Sequence, residues 1–193
     1  YKLDHLFGWF IGAYLAEGCL VKKKDRETEA TGTISISNNS QYYVDHIEEF
    51  AVRFDRTCYV KHKTGHILDS KKAYTNTDTS FTYKPLADLI MRTCGTGSFV
   101  KRIPDFAFLE FKAGLISGYF DGDGNFACDT MHHQIRVCSR SSQLIKDIAL
   151  MLNYFDIFGT LHTSYRHGAN YYHLVISAKY APMYQTHIGS VSY

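Results

Sequence analysis

The chain repeats its own plan, and that repetition limits its possible folds more than any other feature. The stretches "LFGWFIGAYLAEGCL" (6–20) and "FLEFKAGLISGYFDGDGNF" (108–126) are apolar almost all round, the pattern of a helix buried on every side. Each closes on an acid followed by glycine, Glu17–Gly18 and Asp123–Gly124, and glycine suits a helix C-terminus. Two strands follow each: "CLVKKK" with "TGTISIS", then "NFACD" with "HQIRVCS". An amphipathic helix comes next, opened by a serine cap and sharing a Ser-Gln-x-x-x-Asp start: "SQYYVDHIEEFAVRF" (40–54) and "SQLIKDIALMLNYF" (142–155). Two further strands and a closing helix complete each copy. The order helix, strand, strand, helix, strand, strand, helix is thus written twice, which predicts an α+β chain with two antiparallel sheets. The expected division falls near 98–104, giving halves of 1–100 and 101–193.

A helix buried all round needs a partner on every side, and its own copy is the natural one. Small residues four apart, Gly12 with Ala16 and Gly118 with Gly122, allow two backbones to approach closely, as small residues do wherever helices touch. Helices crossing there would bring Glu17 and Asp123 together. A carboxylate at a helix C-terminus opposes the macrodipole, and two side by side repel. A bound divalent cation removes both problems.

Other chemistries fit poorly. "DGDGN" from Asp121 opens like an EF-hand but has Phe126 and His132 where that loop needs Gly and Glu. Five cysteines without C-x-x-C spacing argue against a disulfide framework or a zinc ribbon and read as small buried hydrophobes of a reducing compartment. Neither His132–His133 nor the histidines of "HTSYRH" (162–167) stand at helical i, i+4 spacing beside a carboxylate. No apolar run reaches membrane-spanning length, and net charge of +2 permits an anionic partner without requiring one.

"FIGAYLAEG" (10–18) and "ISGYFDGDG" (116–124) resemble the paired motifs of the LAGLIDADG homing endonucleases, and "KRIPDF" (101–106) resembles the version carried by endonucleases embedded in inteins. The resemblance implies two αββαββα halves related by pseudo-twofold symmetry, with motif helices at their interface and the sheets forming a DNA-binding saddle. It implies a monomer that binds a long asymmetric double-stranded DNA target inside the cell and hydrolyses both strands. Its metal would be Mg²⁺, with Mn²⁺ as a substitute and Ca²⁺ supporting binding only. By the same likeness Glu17 and Asp123 are the catalytic, metal-holding acids and Lys101 an active-site lysine. Asp121, whose counterpart in the other copy is Leu15, is expected to be a helix-end group or a support to the residues that hold the metal. A regulator or an intron-RNA maturase of the same fold, binding without cutting, is the alternative.

The major groove admits a two-stranded ribbon, so the sheets are where nucleic acid is expected. Polar side chains alternate along the strands: Thr31, Thr33, Ser35 and Ser37 in one half, Gln134 and Arg136 in the other. Lys22, Lys23, Lys24, Lys61, Lys63, Lys71, Lys72, Arg140 and Arg166 fall in or near strands and hairpin loops, where they suit phosphate or guanine contacts.

Overall fold

The computed structural model describes residues 1–23, 26–66, 73–105, 108–128, 133–166 and 168–189. The first half runs α1 (His5–Glu17), β1 (Gly18–Lys23), β2 (Arg26–Ser37), α2 (Gln41–Val52), β3 (Tyr59–His66), β4 (Ala73–Thr82) and α3 (Lys84–Thr93). The second runs α4 (Leu109–Asp123), β5 (Gly124–Cys128), β6 (His133–Ser139), α5 (Ser142–Leu152), β7 (Gly159–Arg166), β8 (Ala169–Ser177) and α6 (Ala181–His187). Both sheets are four-stranded and antiparallel, with orders β1-β2-β4-β3 and β5-β6-β8-β7. The α+β plan read from the repeat is the plan of the molecule.

The duplication reaches individual bonds. Gln41 Nε2 donates to Asp45 at 2.8 Å, and Gln143 Nε2 to Asp147 at 2.7 Å. Past each of these helices an aspartate turns left-handed, Asp55 (φ 52°) and Asp156 (φ 55°), a conformation that Asp tolerates better than most residues. The second aspartate stands one position nearer its Gln, and a 3₁₀ turn over Asn153–Phe155 takes up the difference. The cap of α5 is Ser141, one residue before the expected Ser142, whereas Ser40 makes no side-chain cap bond to α2.

Packing divides the chain differently from the repeat. Residues 1–16 pack with 92–193, and residues 17–91 form the other unit. In the first unit α1 and α4 lie backbone against backbone. A methyl built on Gly12 would sit 2.1 Å from the Leu115 carbonyl oxygen, and one on Gly118 2.1 Å from that of Trp9. Gly8 and Gly114 are equally tight, against Phe111 O at 2.1 Å and His5 O at 2.0 Å. The close approach is therefore centred on Gly8, Gly12, Gly114 and Gly118, one turn nearer the N-termini than the expected Gly12–Ala16 and Gly118–Gly122. Ala16 and Gly122 are only partly buried. Around the seam, Phe7–Leu15 and Phe111–Phe120 are buried without a break, and each large apolar side chain so removed from water is worth roughly 1.5–3 kcal/mol.

Glycine ends α4, as the sequence pattern leads one to expect, but not by turning left-handed. Gly124 is extended (φ −74°, ψ 147°), and a methyl there would meet Phe120 O at 2.2 Å. The chain passes straight from helix into β5, and only glycine clears the last carbonyls.

Each sheet has one apolar and one polar face. Ile135, Val137, Leu174 and Ile176 are buried on the side that α5 covers. In the other unit Ile34, Ile36 and Phe81 are buried, with the Phe81 ring 6.3 Å from Phe50 of α2. Strand alternation turns the polar residues to the opposite, uncovered faces.

Candidate functional site

The C-terminal end of α1 leaves carbonyls without helical partners, and Lys101 supplies donors to two of them. Its Nζ donates to Tyr14 O at 2.9 Å and Leu15 O at 3.1 Å, and lies 5.0 Å from the centre of the Tyr14 ring. Lys101 is 7% exposed, so the ammonium is held inside the protein, where a cation complements the negative end of the helix dipole. The segment that carries it is clamped along its length. Tyr14 Oη donates to Gly95 O at 2.9 Å, Arg102 N donates to Cys94 O at 2.9 Å, and the Arg102 guanidinium donates to the carbonyls of Thr93 and Arg92. Ser141 Oγ donates to the Lys101 carbonyl at 2.9 Å.

Lys101 opens onto a cavity of about 240 Å³ shared with Leu15, Ala16, Ser98, Asp123, Cys138, Ser139, Arg140 and Tyr171. Asp123 lines it as the last residue of α4, so one carboxylate and two basic side chains border the same space. The Arg140 guanidinium lies over the Phe99 ring at 3.8 Å and 5.7 Å from the centre of Tyr171. Its Nε is buried and has no hydrogen-bond partner among the described residues. A buried donor without an acceptor is costly, and an anion's oxygen entering the cavity would satisfy it.

The neighbouring groups stay neutral. Burial, then the charge of Asp123, pushes the Tyr119 hydroxyl well above its ordinary range, and it donates to Cys138 O at 3.4 Å. Burial and then Asp123 also raise the Cys138 thiol, so it is a poor nucleophile at neutral pH. Among the described residues no three His, Cys, Asp or Glu side chains gather as a metal nest. The cavity offers carboxylate oxygen, the donor type suited to a hard cation that takes few protein ligands.

Glu17 is exposed at the last position of α1. Asp121 accepts from Trp9 Nε1 at 3.0 Å and so joins α4 to α1, which gives the expected helix-end group a definite partner.

The uncovered face of the sheet β1-β2-β4-β3 carries Thr33, Ser35, Ser37, Lys61 and Lys63, by the register of the strands. Thr33 and Thr82 share a hydrogen bond at 2.8 Å. Asp78, which sequence reasoning passed over, accepts from Ser37 at 2.6 Å and pairs with Lys63. Its signal was the alternation of "YTNTDTSFT", which sets Asn76, Asp78 and Ser80 on one face. Burial raises the Asp78 carboxyl, but hydrogen bonds from Lys63 and Ser37 and the charges of Lys63 and Lys61 outweigh it and hold the pKa below 3.8. Thr31 is exposed and donates to Val21 O.

The uncovered face of the second sheet carries Gln134, Arg136 and Arg166, with His162 opposite His173. Arg136 donates to Gln134 through Nε at 3.0 Å and Nη2 at 2.6 Å, which pre-orders the pair. Burial, then Arg166, His162 and Arg136, lowers the pKa of His173, whose Nε2 lies 2.7 Å from Ser164 Oγ. Lys24, Lys71, Lys72, His132 and His167 lie outside the described residues, as do the side chains of Lys22, Lys23 and His133. The cysteines depart from expectation at Cys19, which is exposed; Cys94 is buried, and Cys58 and Cys138 are partly so. No helix among the described residues is long and apolar enough to cross a membrane.

Residues 110–189 match a family model described as a LAGLIDADG-like domain. The DNA-directed RNA polymerase subunit Rpo1C of Methanocaldococcus jannaschii is 34% identical over 190 residues, which is 97% of this chain and 20% of that protein. A DNA polymerase of Thermococcus hydrothermalis is 25% identical over 179 residues, 91% of this chain and 10% of the relative. The chain thus spans a fifth or less of these curated relatives. The homing endonuclease I-DmoI in complex with DNA and Mn superposes at a TM-score of 0.68 with 15% identity, over 100% of this chain and 99% of the other. The N-terminal LAGLIDADG domain of DUF199/WhiA does so at 0.65 with 12% identity, over 98% and 83%. These likenesses fix the fold. Residues 110–189 are thus similar to a LAGLIDADG-like domain, and the chain as a whole has the fold of I-DmoI and of the WhiA N-terminal domain.

Proposed function

We propose that this chain is a site-specific DNA endonuclease that hydrolyses a phosphodiester bond in each strand of a long, asymmetric duplex target, working as a monomer of two repeats, 1–100 and 101–193. The observation that carries this reading is the cavity lined by Asp123, Lys101 and Arg140, whose Nε is unsatisfied among the described residues. A carboxylate beside two cations at the end of a motif helix suits a phosphodiester and a divalent metal together. I-DmoI structures are described with DNA and Mn, with DNA and Ca and, for one variant, with target DNA and 2 mM Mg, which supports an oxygen-bound divalent ion here.

Asp123 and Glu17 are the residues that would hold Mg²⁺ or Mn²⁺. Such an ion, when bound, lowers the pKa of its water and polarises phosphate oxygens. Arg140 would give Nε–H to a non-bridging phosphate oxygen, and its stacking over the Phe99 ring orients the donor before DNA arrives. Lys101 places a second positive charge beside the reacting phosphate. The uncovered sheet faces would lie in the major groove, with Gln134–Arg136 and the Thr33–Thr82 pair at base edges and Lys61, Arg140 and Arg166 toward phosphates.

The test is cleavage of a randomised duplex library in Mg²⁺, followed by strand-resolved kinetics on the site recovered. Asp123→Asn and Glu17→Gln are each expected to abolish double-strand cutting while binding stays within about tenfold, about 1.4 kcal/mol. Ca²⁺ is expected to sustain binding alone. Full cutting by either variant would remove the acids from the chemistry. Tight duplex binding by the unaltered chain without cutting in Mg²⁺ or Mn²⁺ would favour a regulator, and preference for structured RNA a maturase.

A further inference from the structure

Ser141 does more than begin a helix. Its Oγ accepts from Leu144 N at 3.2 Å, the cap bond of α5, and the same hydroxyl donates to the carbonyl of Lys101 at 2.9 Å. It is 3% exposed. Ser40, which opens the equivalent helix of the first half, is exposed and makes no side-chain cap bond. A hydroxyl has one proton to give, and Ser141 gives it to the residue whose ammonium reaches the end of α1. Tyr14 closes the loop: its carbonyl accepts from Lys101 Nζ while its own hydroxyl holds Gly95 O. α5, the Lys101 segment and α1 are therefore joined by one run of hydrogen bonds beside the Asp123 cavity.

We propose that Ser141 is the positioning residue for Lys101: its hydroxyl fixes the backbone from which the lysine projects, and so sets where the ammonium lies at the end of α1. The proposal rests on the endonuclease reading only for its effect on cutting. A charge displaced by about 1 Å loses about 100-fold in rate when geometry governs the step, whereas overall affinity, spread over two sheets, is little affected.

The experiment compares Ser141→Gly with Ser141→Thr. Glycine is nearly as good an N-cap as serine, at a cost of a few tenths of a kcal/mol, but has no proton to give; threonine keeps both bonds. Ser141→Asp, which keeps the acceptor for Leu144 and lacks the donor, replaces Ser141→Gly if the latter does not fold. In protein labelled with ¹⁵N-lysine, the hydrogen-bonded Lys101 ammonium gives a slowly exchanging Nζ signal, assigned by its loss in Lys101→Met. That signal is expected to move or vanish in Ser141→Gly and to persist in Ser141→Thr. Single-turnover cleavage of one strand is expected to fall about 10- to 100-fold in the glycine variant, with DNA affinity within about twofold, and to recover in the threonine variant. An unchanged Lys101 signal in Ser141→Gly, or equal loss in the two variants, would overturn the proposal. The expected signals in a chain that cuts no duplex would uphold the clasp and sink the endonuclease reading.

Discussion

Asp121 and Asp123 stand two positions apart on α4 and have separate tasks. One accepts from the Trp9 indole and joins two helices; the other lines the cavity with Lys101 and Arg140. The absence of an acid opposite Asp121 in the first copy separates the two roles at sequence level, but a partner 112 positions away leaves no local trace. Lys101 was legible only through the resemblance of "KRIP"; its burial and its two carbonyl partners depend on where α1 ends in space. Asp78 carries a pH signature. Its folded pKa lies below 3.8, so the stability it adds is fully present above that ordinary value and is lost as pH falls through the folded one. Thermal midpoints of Asp78→Asn are expected to trail those of the unaltered chain by a constant margin at neutral pH, with the gap closing below about pH 4. A gap that widens in acid would contradict the assignment.

At the scale of elements, helical and strand periods together with the repeat were enough to place the described α-helices and strands in order. The register of the helix seam was not, because small residues recur every four positions along both helices: Gly8, Gly12 and Ala16 in one, Gly114, Gly118 and Gly122 in the other. Spacing cannot tell which of three pairs meets a carbonyl. The structure selects the first two, and there the fit has no slack. Gly12→Ala would set a methyl 2.1 Å from Leu115 O and 2.6 Å from Tyr119 N, both backbone atoms. Alanine gains about 1 kcal/mol of helix propensity, yet overpacking costs about 1–3 kcal/mol and more where backbone must move. Urea denaturation is therefore expected to show a net loss of about 2 kcal/mol for Gly12→Ala or Gly118→Ala. Gly97→Ala provides the contrast: no atom of the described residues lies within 4 Å of its added methyl, beyond its chain neighbours, and its cost is the strain of φ 96°.

For the whole molecule, net charge of +2 says less than its placement. Lys63 is engaged by Asp78 and Arg136 by Gln134, which leaves Lys61, Arg140 and Arg166 as the described cations best placed for phosphates. At about 0.9 per contact, log K for duplex DNA is expected to fall with log salt at a slope of about −3; a flat response would point to another partner. The same placement bears on how the chain comes apart. Residues 1–16 pack into the unit built from 92–193, so the opening of the polypeptide is lodged against α4, backbone to backbone, rather than resting with the sheet that follows it. Severing the chain after residue 100 would strip each fragment of its matching helix and bare a notched surface made of carbonyls and glycine Cα atoms. Such a surface asks for a helix of the same design, whichever polypeptide supplies it. The two fragments, mixed, are expected to co-purify and regain the thermal transition of the intact chain, and residues 101–193 alone to associate with themselves by light scattering. The notch would then serve as a mutual recognition code between helices, one that tells a copy of itself from any other partner.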